Sequence, residues 1–152
     1  MRYLTTTNKW DSRLLELASH YSTWSKDEST KVGCVIVNGN KTVVSSGYNG
    51  LPRGCRDDVA VRLSRPEKYF WFEHAERNAI FNAAHEGISL DGCTLYSTLC
   101  PCMDCARALV QSGIRRVVTP EPDKTKYSQL WETHFPRTIE LLKECNVELN
   151  FV

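Results

Sequence analysis

Residues 94–119 read TLYSTLCPCMDCARALVQSGIRRVVT, and this stretch decides the fold of the second half of the chain. Its two ends, Thr94–Thr98 and Arg115–Thr119, are short β-favouring runs that each predict a strand. The apolar residues between them recur at helical spacing until Gly113, and Pro101 suits the first turn of a helix, where its missing N–H is not needed. The stretch therefore predicts a strand–helix–strand unit with parallel strands and a right-handed crossover.

The remaining sequence predicts further strands and the helices that cover them. Apolar residues three and four apart predict three more helices, and β-branched runs predict a hairpin around Asn38-Gly-Asn40, whose residues tolerate positive φ. A segment rich in proline, glycine and charge is interpreted as a long functional loop containing some helix. The predicted elements are helix Trp10–Tyr21, strands Val32–Val37 and Thr42–Ser46, loop Tyr48–Phe72, helix His74–Ala84, a helix starting near Pro136 with Ile139, Leu142 and Cys145 inward, and strand Val147–Val152.

Two strand–helix–strand steps in the second half and a hairpin in the first define the fold class. The steps give parallel strands, and the hairpin adds an antiparallel edge. We therefore predict a single-domain, three-layer α/β/α fold with a mixed five-stranded sheet. Residues 1–152 are expected to form one domain, because neither an internal repeat nor a linker interrupts the pattern.

The charge balance argues against a protein that follows long nucleic acids. Nineteen basic and eighteen acidic residues give a formal charge of +1, whereas such proteins carry a basic surplus or a basic stripe. The densest basic stretch, Arg53–Lys68, also contains three acidic residues and is interpreted as a solvated loop. A small phosphorylated ligand would need only a few of these cations.

The sequence predicts a cytoplasmic protein. Met1–Leu15 has scattered charges and no apolar core of a leader, and no later window approaches the length that spans a bilayer. Seven cysteines in a reducing compartment are expected to be thiols or metal ligands rather than disulfides.

Metal-binding and acidic residues stand at two predicted helix starts. H-A-E, beginning at His74, opens one helix, and P-C-M-D-C, beginning at Pro101, opens the next. Cys102 and Cys105 can direct both sulfurs at one atom, and the histidine completes an N/S₂ set that leaves a fourth tetrahedral position open. Glu76 is placed to exchange protons with a water at that position, so the pattern predicts a catalytic zinc site.

A Cys-x-x-Cys pair by itself also occurs in structural zinc sites and in redox centres. A structural zinc requires four protein ligands, and the remaining candidates, His20, His85, His134 and Cys100, are poorly placed. A thioredoxin-like pair belongs near the first strand of its fold, whereas this pair follows the third predicted strand. The combination of H-x-E, the strand and P-C-x-x-C therefore favours a catalytic metal.

The order H-x-E…P-C-x-x-C is the signature of the zinc nucleobase deaminases, and the chain resembles that superfamily from its first helix to its last strand. Within the superfamily, the likeness is to the deoxycytidylate (dCMP) deaminases. The G-Y-N-G turn, followed by a long insertion before H-A-E, discriminates most between branches. The segments that carry the resemblance are Lys31–Val37, Gly47–Cys55, His74–Ile80, Leu95-Tyr96 and Gln111–Ile114.

The resemblance implies a role for each matching residue. His74, Cys102 and Cys105 would bind one zinc ion per chain, and Glu76 would carry protons. Asn49 would hydrogen-bond the base or the sugar, because an amide donates and accepts at once; the simpler alternative is a turn residue. The family also forms homo-oligomers (hexamers, or dimers and tetramers) and is often regulated by dCTP and dTTP. Further substrate contacts are expected from Ala75, Leu99, Cys100 and Pro101.

The segment after the fourth predicted strand departs from the family pattern. Relatives place a tyrosine there near the substrate, but here residues 120–127 contain two prolines, and Tyr127 comes several residues late. A second zinc site known in some relatives has no evident ligand set, which argues for one metal ion. Spacing does not select the residue that binds the phosphate; the candidates are Lys26, Arg53, Lys124, Lys126 and Tyr127, with Arg62 or Arg65 for an effector.

The predicted reaction converts dCMP to dUMP and ammonia, which places the protein in pyrimidine nucleotide metabolism as a source of dUMP for thymidylate synthesis. Glu76 would move a proton from the attacking water to N3 of cytosine and later deliver one to the leaving amine. Three alternatives stay open: a deaminase of another small substrate (a C5-modified dCMP, cytidine or guanine), a deaminase that edits tRNA or single-stranded DNA, and a zinc-stabilised binding module without turnover. H-A-E in place of C-A-E argues against cytidine, and salt-sensitive binding to RNA or DNA would favour editing.

Overall fold

Five strands form one sheet with helices on both sides in the computed structural model, which describes residues 8–152. The prediction that Met1–Leu15 lacks a leader falls partly on residues 1–7, outside the described residues. No helix within the described part is long and apolar enough to cross a membrane. The elements are α1 (Lys9–Ser22), β1 (Gly33–Val37), β2 (Val43–Tyr48), a 3₁₀ turn (Ala60–Leu63), α2 (Lys68–Trp71), α3 (Ala75–Glu86), β3 (Thr94–Ser97), α4 (Met103–Gln111), β4 (Arg116–Thr119), α5 (Ser128–Thr133), α6 (Phe135–Glu144) and β5 (Glu148–Phe151).

The order of the strands in the sheet is β2-β1-β3-β4-β5. β1 is antiparallel to both β2 and β3, whereas β3, β4 and β5 run parallel to one another. The predicted mixed sheet, with a hairpin at its edge and two strand–helix–strand steps, is therefore confirmed.

Helices cover both faces, since successive side chains of a strand point to opposite sides. On one face, Leu14 of α1 packs in a cluster with Val35. On the other face, α3, α4 and α6 pack in a second cluster that includes Ile36, Ala79 and Leu95. All five residues of β1 are buried, as expected for a strand covered on both sides. The layers are therefore α/β/α, as predicted.

A glycine in β2 sets the height of α3 above the sheet. A Cβ atom at Gly47 would lie 2.4 Å from the carbonyl oxygen of Ala75 and 2.6 Å from the amide nitrogen of Ala79. Any larger residue would push the helix away, because both contacts are with backbone atoms. The close approach fixes the start of α3, where His74, one of the predicted metal ligands, is the N-cap.

Pro101 and Pro136 were each predicted at the start of a helix, and only the second prediction is correct. α4 begins at Met103 with Cys102 as its N-cap, so the prediction that Pro101 lies in the first turn is wrong: it precedes the helix. Pro136 does lie in the first turn of α6, as predicted. The helix α5 was not predicted, because six residues are too few to show a helical period.

The hairpin turn differs in detail from its prediction. Positive φ falls on Lys41, at 62°, and not on Asn38-Gly-Asn40. The side chain of Asn38 instead closes the turn, since its Oδ1 accepts hydrogen bonds from the N–H groups of Asn40 and Thr42 at 2.9 and 3.1 Å. Asparagine acts here through its side chain rather than through its backbone freedom.

Candidate metal centre and active site

The N-termini of α3 and α4 carry the predicted metal ligands. His74 is the N-cap of α3 and Cys102 is the N-cap of α4, both with extended backbone (φ/ψ −73°/153° and −71°/172°). Neither side chain accepts a hydrogen bond from its own helix, as serine or aspartate at an N-cap ordinarily does. Both side chains are therefore available to a common ligand, and Cys105 joins them from the first turn of α4.

The ligand atoms of these three residues converge. Nδ1 of His74 lies 3.4 Å from Sγ of Cys102 and 3.4 Å from Sγ of Cys105, and all three atoms lie within 4.8 Å of one another. With Zn–N bonds of about 2.0 Å and Zn–S bonds of about 2.3 Å, a tetrahedral zinc ion separates nitrogen and sulfur by about 3.5 Å. The donor set therefore fits zinc, and three protein ligands leave one position for a small molecule.

Hydrogen bonds among the three residues set their charge. The hydrogen bond from Cys105 is the main cause that lowers the pKa of the Cys102 thiol to about 4. The hydrogen bond with Cys102 raises the pKa of His74 to about 9. Among the protein groups alone, Cys102 is thus a thiolate at neutral pH, a form that the helix N-termini also favour. A divalent cation would take the place of the shared protons.

Glu76 lies beside this cluster in the first turn of α3 and is 4% exposed. Its Oε1 accepts a hydrogen bond of 3.1 Å from the hydroxyl of Ser97. Burial raises the pKa of the carboxyl, and none of the ion pairs in the described residues includes it. A carboxyl whose pKa is raised towards neutrality can both accept and return a proton.

Two other cysteines surround Glu76 but keep their protons. Burial raises the pKa of the Cys34 thiol and of the Cys100 thiol, and the nearby carboxylate adds to both shifts. Cys34 donates its proton to the carbonyl oxygen of Ala75 at 3.0 Å. These neutral thiols do not compete with Cys102 as anionic ligands.

A cavity of about 240 Å³ opens onto Glu76 and two of the predicted metal ligands, His74 and Cys102. Four of the five residues from which substrate contacts are expected, Asn49, Ala75, Leu99 and Cys100, line it. Pro101 does not line it, and its carbonyl oxygen accepts a hydrogen bond of 2.9 Å from Thr138. The walls also include Asp27, Thr30, Val32, Arg65, Lys68, Tyr69, Phe72, Leu130 and Phe135.

The amide of Asn49 is engaged within the protein. Its Oδ1 accepts from the N–H of Val32 at 2.8 Å, and its Nδ2 donates to the carbonyl oxygen of Thr30 at 2.8 Å. Asn49 therefore fastens the turn after β2 to the segment that leads into β1 while it faces the cavity. The turn role is visible in these hydrogen bonds, and the substrate contact stays a prediction.

A buried ion pair in the cavity wall was not predicted from the sequence. Nζ of Lys68 lies 3.0 Å from each carboxylate oxygen of Asp27, and both side chains are less than 10% exposed. Burial raises the pKa of Asp27, but the hydrogen bond from Lys68 and the N–H groups of Ser29 and Thr30 outweigh it, so the pKa is lowered. The solvated-loop interpretation is therefore wrong at Lys68. No local signal could reveal a pair 41 residues apart.

The predicted phosphate candidates lie away from the cavity. Lys26 pairs with Asp57, and Arg53 bonds to Asn82; both cations line a second groove of about 480 Å³. Lys124 and Lys126 lie over aromatic rings of Trp131 and Tyr127, and neither they nor Tyr127 lines the cavity.

Arg65 does line the cavity. Its guanidinium group lies 5.8 Å from the ring centre of Tyr69, and it forms no hydrogen bond or ion pair with any residue between 8 and 152. Arg62 instead stacks on Trp71 at 3.8 Å. Of the two arginines expected to bind an effector, one thus faces the cavity that contains Glu76.

Known proteins share both the sequence pattern and the fold. The family model of the cytidine and deoxycytidylate deaminase zinc-binding region matches residues 8–121. The uncharacterized deaminase in the luxG 3′ region of Aliivibrio fischeri is 35% identical over 145 residues, which are 95% of each chain. Deoxycytidylate deaminase of phage T4 is 32% identical over 177 positions, covering 91% of this chain and 87% of the relative.

A solved structure has the same fold as this chain. The dCMP deaminase of cyanophage S-TIM5 in its apo form superposes with a TM-score of 0.74 at 26% identity, covering 97% of this chain and all of that one. The chain spans 56–64% of the length of the animal relatives that it also matches. The match of the family model over three quarters of the chain, together with the convergent His74, Cys102 and Cys105, shows that the chain belongs to the cytidine and deoxycytidylate deaminase zinc-binding family.

Proposed function

We propose that this protein is a zinc-dependent hydrolase that converts dCMP to dUMP and ammonia, with residues 1–152 as one deaminase domain. The observation that carries the proposal is the buried carboxyl group of Glu76, which shares a cavity with His74 and Cys102, two members of an N/S₂ cluster that could hold a metal ion. The names of the phage relatives support dCMP as the substrate.

His74, Cys102 and Cys105 would hold the zinc ion. When bound, zinc lowers the pKa of a water molecule and so supplies a nucleophile at neutral pH. Glu76 accepts a proton from the attacking water and delivers it to N3 of cytosine, which prevents negative charge from building up on the ring. Glu76 then takes up the second proton of that water from the new oxygen at C4 and donates it to the amine, so that a C4=O bond replaces the C4–N bond and ammonia leaves.

The remaining cavity walls orient the base. Phe72, Leu99 and Phe135 offer apolar surface to a flat ring, and burial of that surface excludes water from the reaction. The backbone carbonyls of Leu99 and Cys100 are the proposed acceptors for the amine. A cavity of about 240 Å³ suits one nucleotide base.

We assign the phosphate of the substrate to Arg65. The guanidinium group of Arg65, which lies at the wall of the same cavity and forms no hydrogen bond or ion pair with the described residues, is a ready anion site. Lys68, the nearest other cation in the cavity wall, donates to Asp27 and to Ser29 and has no proton left for a ligand.

Assembly and regulation are proposed from the family resemblance. We expect a homo-oligomer, and the exposed apolar side chains of Val61, Tyr69 and Phe70 offer a surface for it. The groove with Lys26 and Arg53 is the expected site of dCTP or dTTP effects. We also expect the cytoplasm as the compartment, because none of the seven cysteines is paired in a disulfide.

The test is a substrate panel on zinc-loaded protein, followed by loss of the ultraviolet absorbance of cytosine. The panel contains dCMP, CMP, deoxycytidine, dCTP, 5-methyl-dCMP and a cytosine-containing oligonucleotide, each with and without dCTP and dTTP. We expect conversion of dCMP to exceed that of every other member. Faster turnover of another member would overturn the substrate, and zinc binding without turnover of any base would overturn the enzymatic function.

A further inference from the structure

Ser97 ends β3 and has no exposed surface, although serine is polar. A buried hydroxyl group needs hydrogen-bond partners, because leaving it without one is unfavourable. Oγ of Ser97 lies 3.1 Å from Oε1 of Glu76 and 2.9 Å from the carbonyl oxygen of Leu99, with the amide nitrogen of Leu99 at 3.5 Å. The hydroxyl therefore bridges the carboxyl of Glu76 and the backbone of the cavity wall.

The single proton of Ser97 can be donated to one acceptor at a time. In one arrangement, Ser97 donates to the carboxylate of Glu76 and accepts from the N–H of Leu99. In the other, it donates to the carbonyl oxygen of Leu99 and accepts from Glu76 once that carboxyl carries a proton. A backbone N–H in the same place could serve only the first arrangement, since it only donates.

The thiols near Glu76 do not substitute for this hydroxyl. Cys105 also interacts with the Glu76 side chain, but as a zinc ligand it is a thiolate and has no proton to donate. Cys34 directs its proton to Ala75, and Cys100 lies against the carbonyl oxygen of Pro101. The hydroxyl is thus suited to both protonation states of the carboxyl.

We propose that Ser97 is a positioning residue that holds Glu76 in one orientation both before and after it takes up a proton. The inference rests on the proposed role of Glu76 and goes beyond it, because no step of the reaction itself requires a serine. Ser97 acts through Glu76 and does not line the cavity. Its loss should therefore fall on kcat and leave KM nearly unchanged.

The test compares Ser97→Thr with Ser97→Val, which have the same shape and differ in the hydroxyl group. With dCMP as substrate, we expect Ser97→Thr to stay within about threefold of wild-type kcat and Ser97→Val to lose about tenfold to thirtyfold, as for a lost hydrogen bond to a charged group. Zinc content and the thermal midpoint should match between the two variants. Equal kcat for the pair, or a loss in Ser97→Val that follows its zinc content, would overturn the proposal.

A second variant covers the case in which neither larger side chain fits. Ser97→Ala removes the hydroxyl without adding volume, and we expect about a tenfold loss in kcat with KM within about twofold of wild type. Wild-type kcat in this variant would overturn the role of Ser97 while leaving the deaminase function intact. No turnover of the panel by the wild-type protein would instead overturn the proposed function, and the role of Ser97 with it.

Discussion

Tyr96 and Ser97 are neighbours on β3, and each donates a hydrogen bond to a buried carboxylate on a different face of the sheet. Under α1, the hydroxyl of Tyr96 lies 2.8 Å from Asp11, and Arg116 forms hydrogen bonds of 3.0 and 2.9 Å to both oxygens of the same carboxylate. Under α3, Ser97 donates to Glu76, which has no arginine or lysine partner in the described residues.

The difference appears in the pKa values of the two carboxyl groups. Burial raises the pKa of Asp11, but the hydrogen bonds from Arg116 and Tyr96 outweigh it, so the pKa is lowered. Burial raises the pKa of Glu76, and the opposing effects of a backbone N–H group, His74 and Ser97 do not outweigh it. A guanidinium partner therefore turns one buried carboxylate into a fixed structural link between α1 and the sheet. Without such a partner, the other carboxyl remains able to exchange protons.

The largest expected effect separates the two carboxylates by activity. We expect Glu76→Gln to retain zinc and to lose at least about a thousandfold in kcat, because proton transfer and orientation fail together. Turnover of dCMP and zinc content by elemental analysis are the measurements. Turnover near that of wild type would show that Glu76 is not the proton carrier, and loss of zinc would show that it helps to hold the metal.

The order of the two carboxyl groups should reverse when stability is measured, since substitution of Asp11 should destabilise the fold more than substitution of Glu76. Asp11→Asn leaves the guanidinium group of Arg116 without its partner and is expected to lower the free energy of unfolding by about 3 kcal/mol. Glu76→Gln replaces an unpaired buried carboxyl and should change that free energy by about 1 kcal/mol or less. Urea unfolding at pH 7 checks both values. Equal losses in the two variants would contradict the division into a structural and a functional carboxylate.

Acid should reduce the stability that Asp11 and Asp27 give to the fold. The pKa values of both carboxyl groups are lowered in the folded state, so their contribution to the free energy of unfolding is fully present above the unfolded pKa of about 3.9. It is lost as the pH falls through the lowered folded values. We expect the free energy of unfolding of the wild-type protein to decline below about pH 4. The free energy of unfolding of Asp11→Asn should decline less steeply over the same range. Parallel acid limbs for wild type and variant would exclude Asp11 as a contributor.

The smallest expected effect concerns Arg65, whose guanidinium group forms no hydrogen bond or ion pair with the described residues. Arg65→Gln should raise the KM for dCMP by about tenfold, as for a lost charge-assisted hydrogen bond, and leave KM for deoxycytidine unchanged. Arg62→Gln is the matched control, because Arg62 stacks on Trp71 and does not line the cavity. Equal shifts for dCMP and deoxycytidine would remove Arg65 from the phosphate site.

Local patterns in the sequence predicted most of the fold, and the structure brings the predicted metal ligands together. The strand–helix–strand unit of residues 94–119 and the hairpin each combine period, turn residues and length in one short segment. His74 and Cys102 could be placed at helix starts because motif and helical period begin at the same residues. Pro101 was wrongly predicted in the first turn of α4, which begins two residues later at Met103, and α5 was not predicted, since boundaries and short helices carry little periodic signal.

The sequence predicted the metal ligands and Glu76 through two short motifs, H-A-E and P-C-x-x-C, each of which lies at a predicted helix start, although His74 and Cys102 are 28 positions apart. Only the tertiary structure decided that Asp27 pairs with Lys68, that Ser97 meets Glu76 and that Arg65 faces the cavity. Asp27 and Lys68 are 41 positions apart in the sequence, and Ser97 and Glu76 are 21 positions apart. Arg65 reaches the cavity from a loop. Charged and hydroxyl side chains are ordinarily exposed, so their burial and their partners follow from packing that no local pattern encodes.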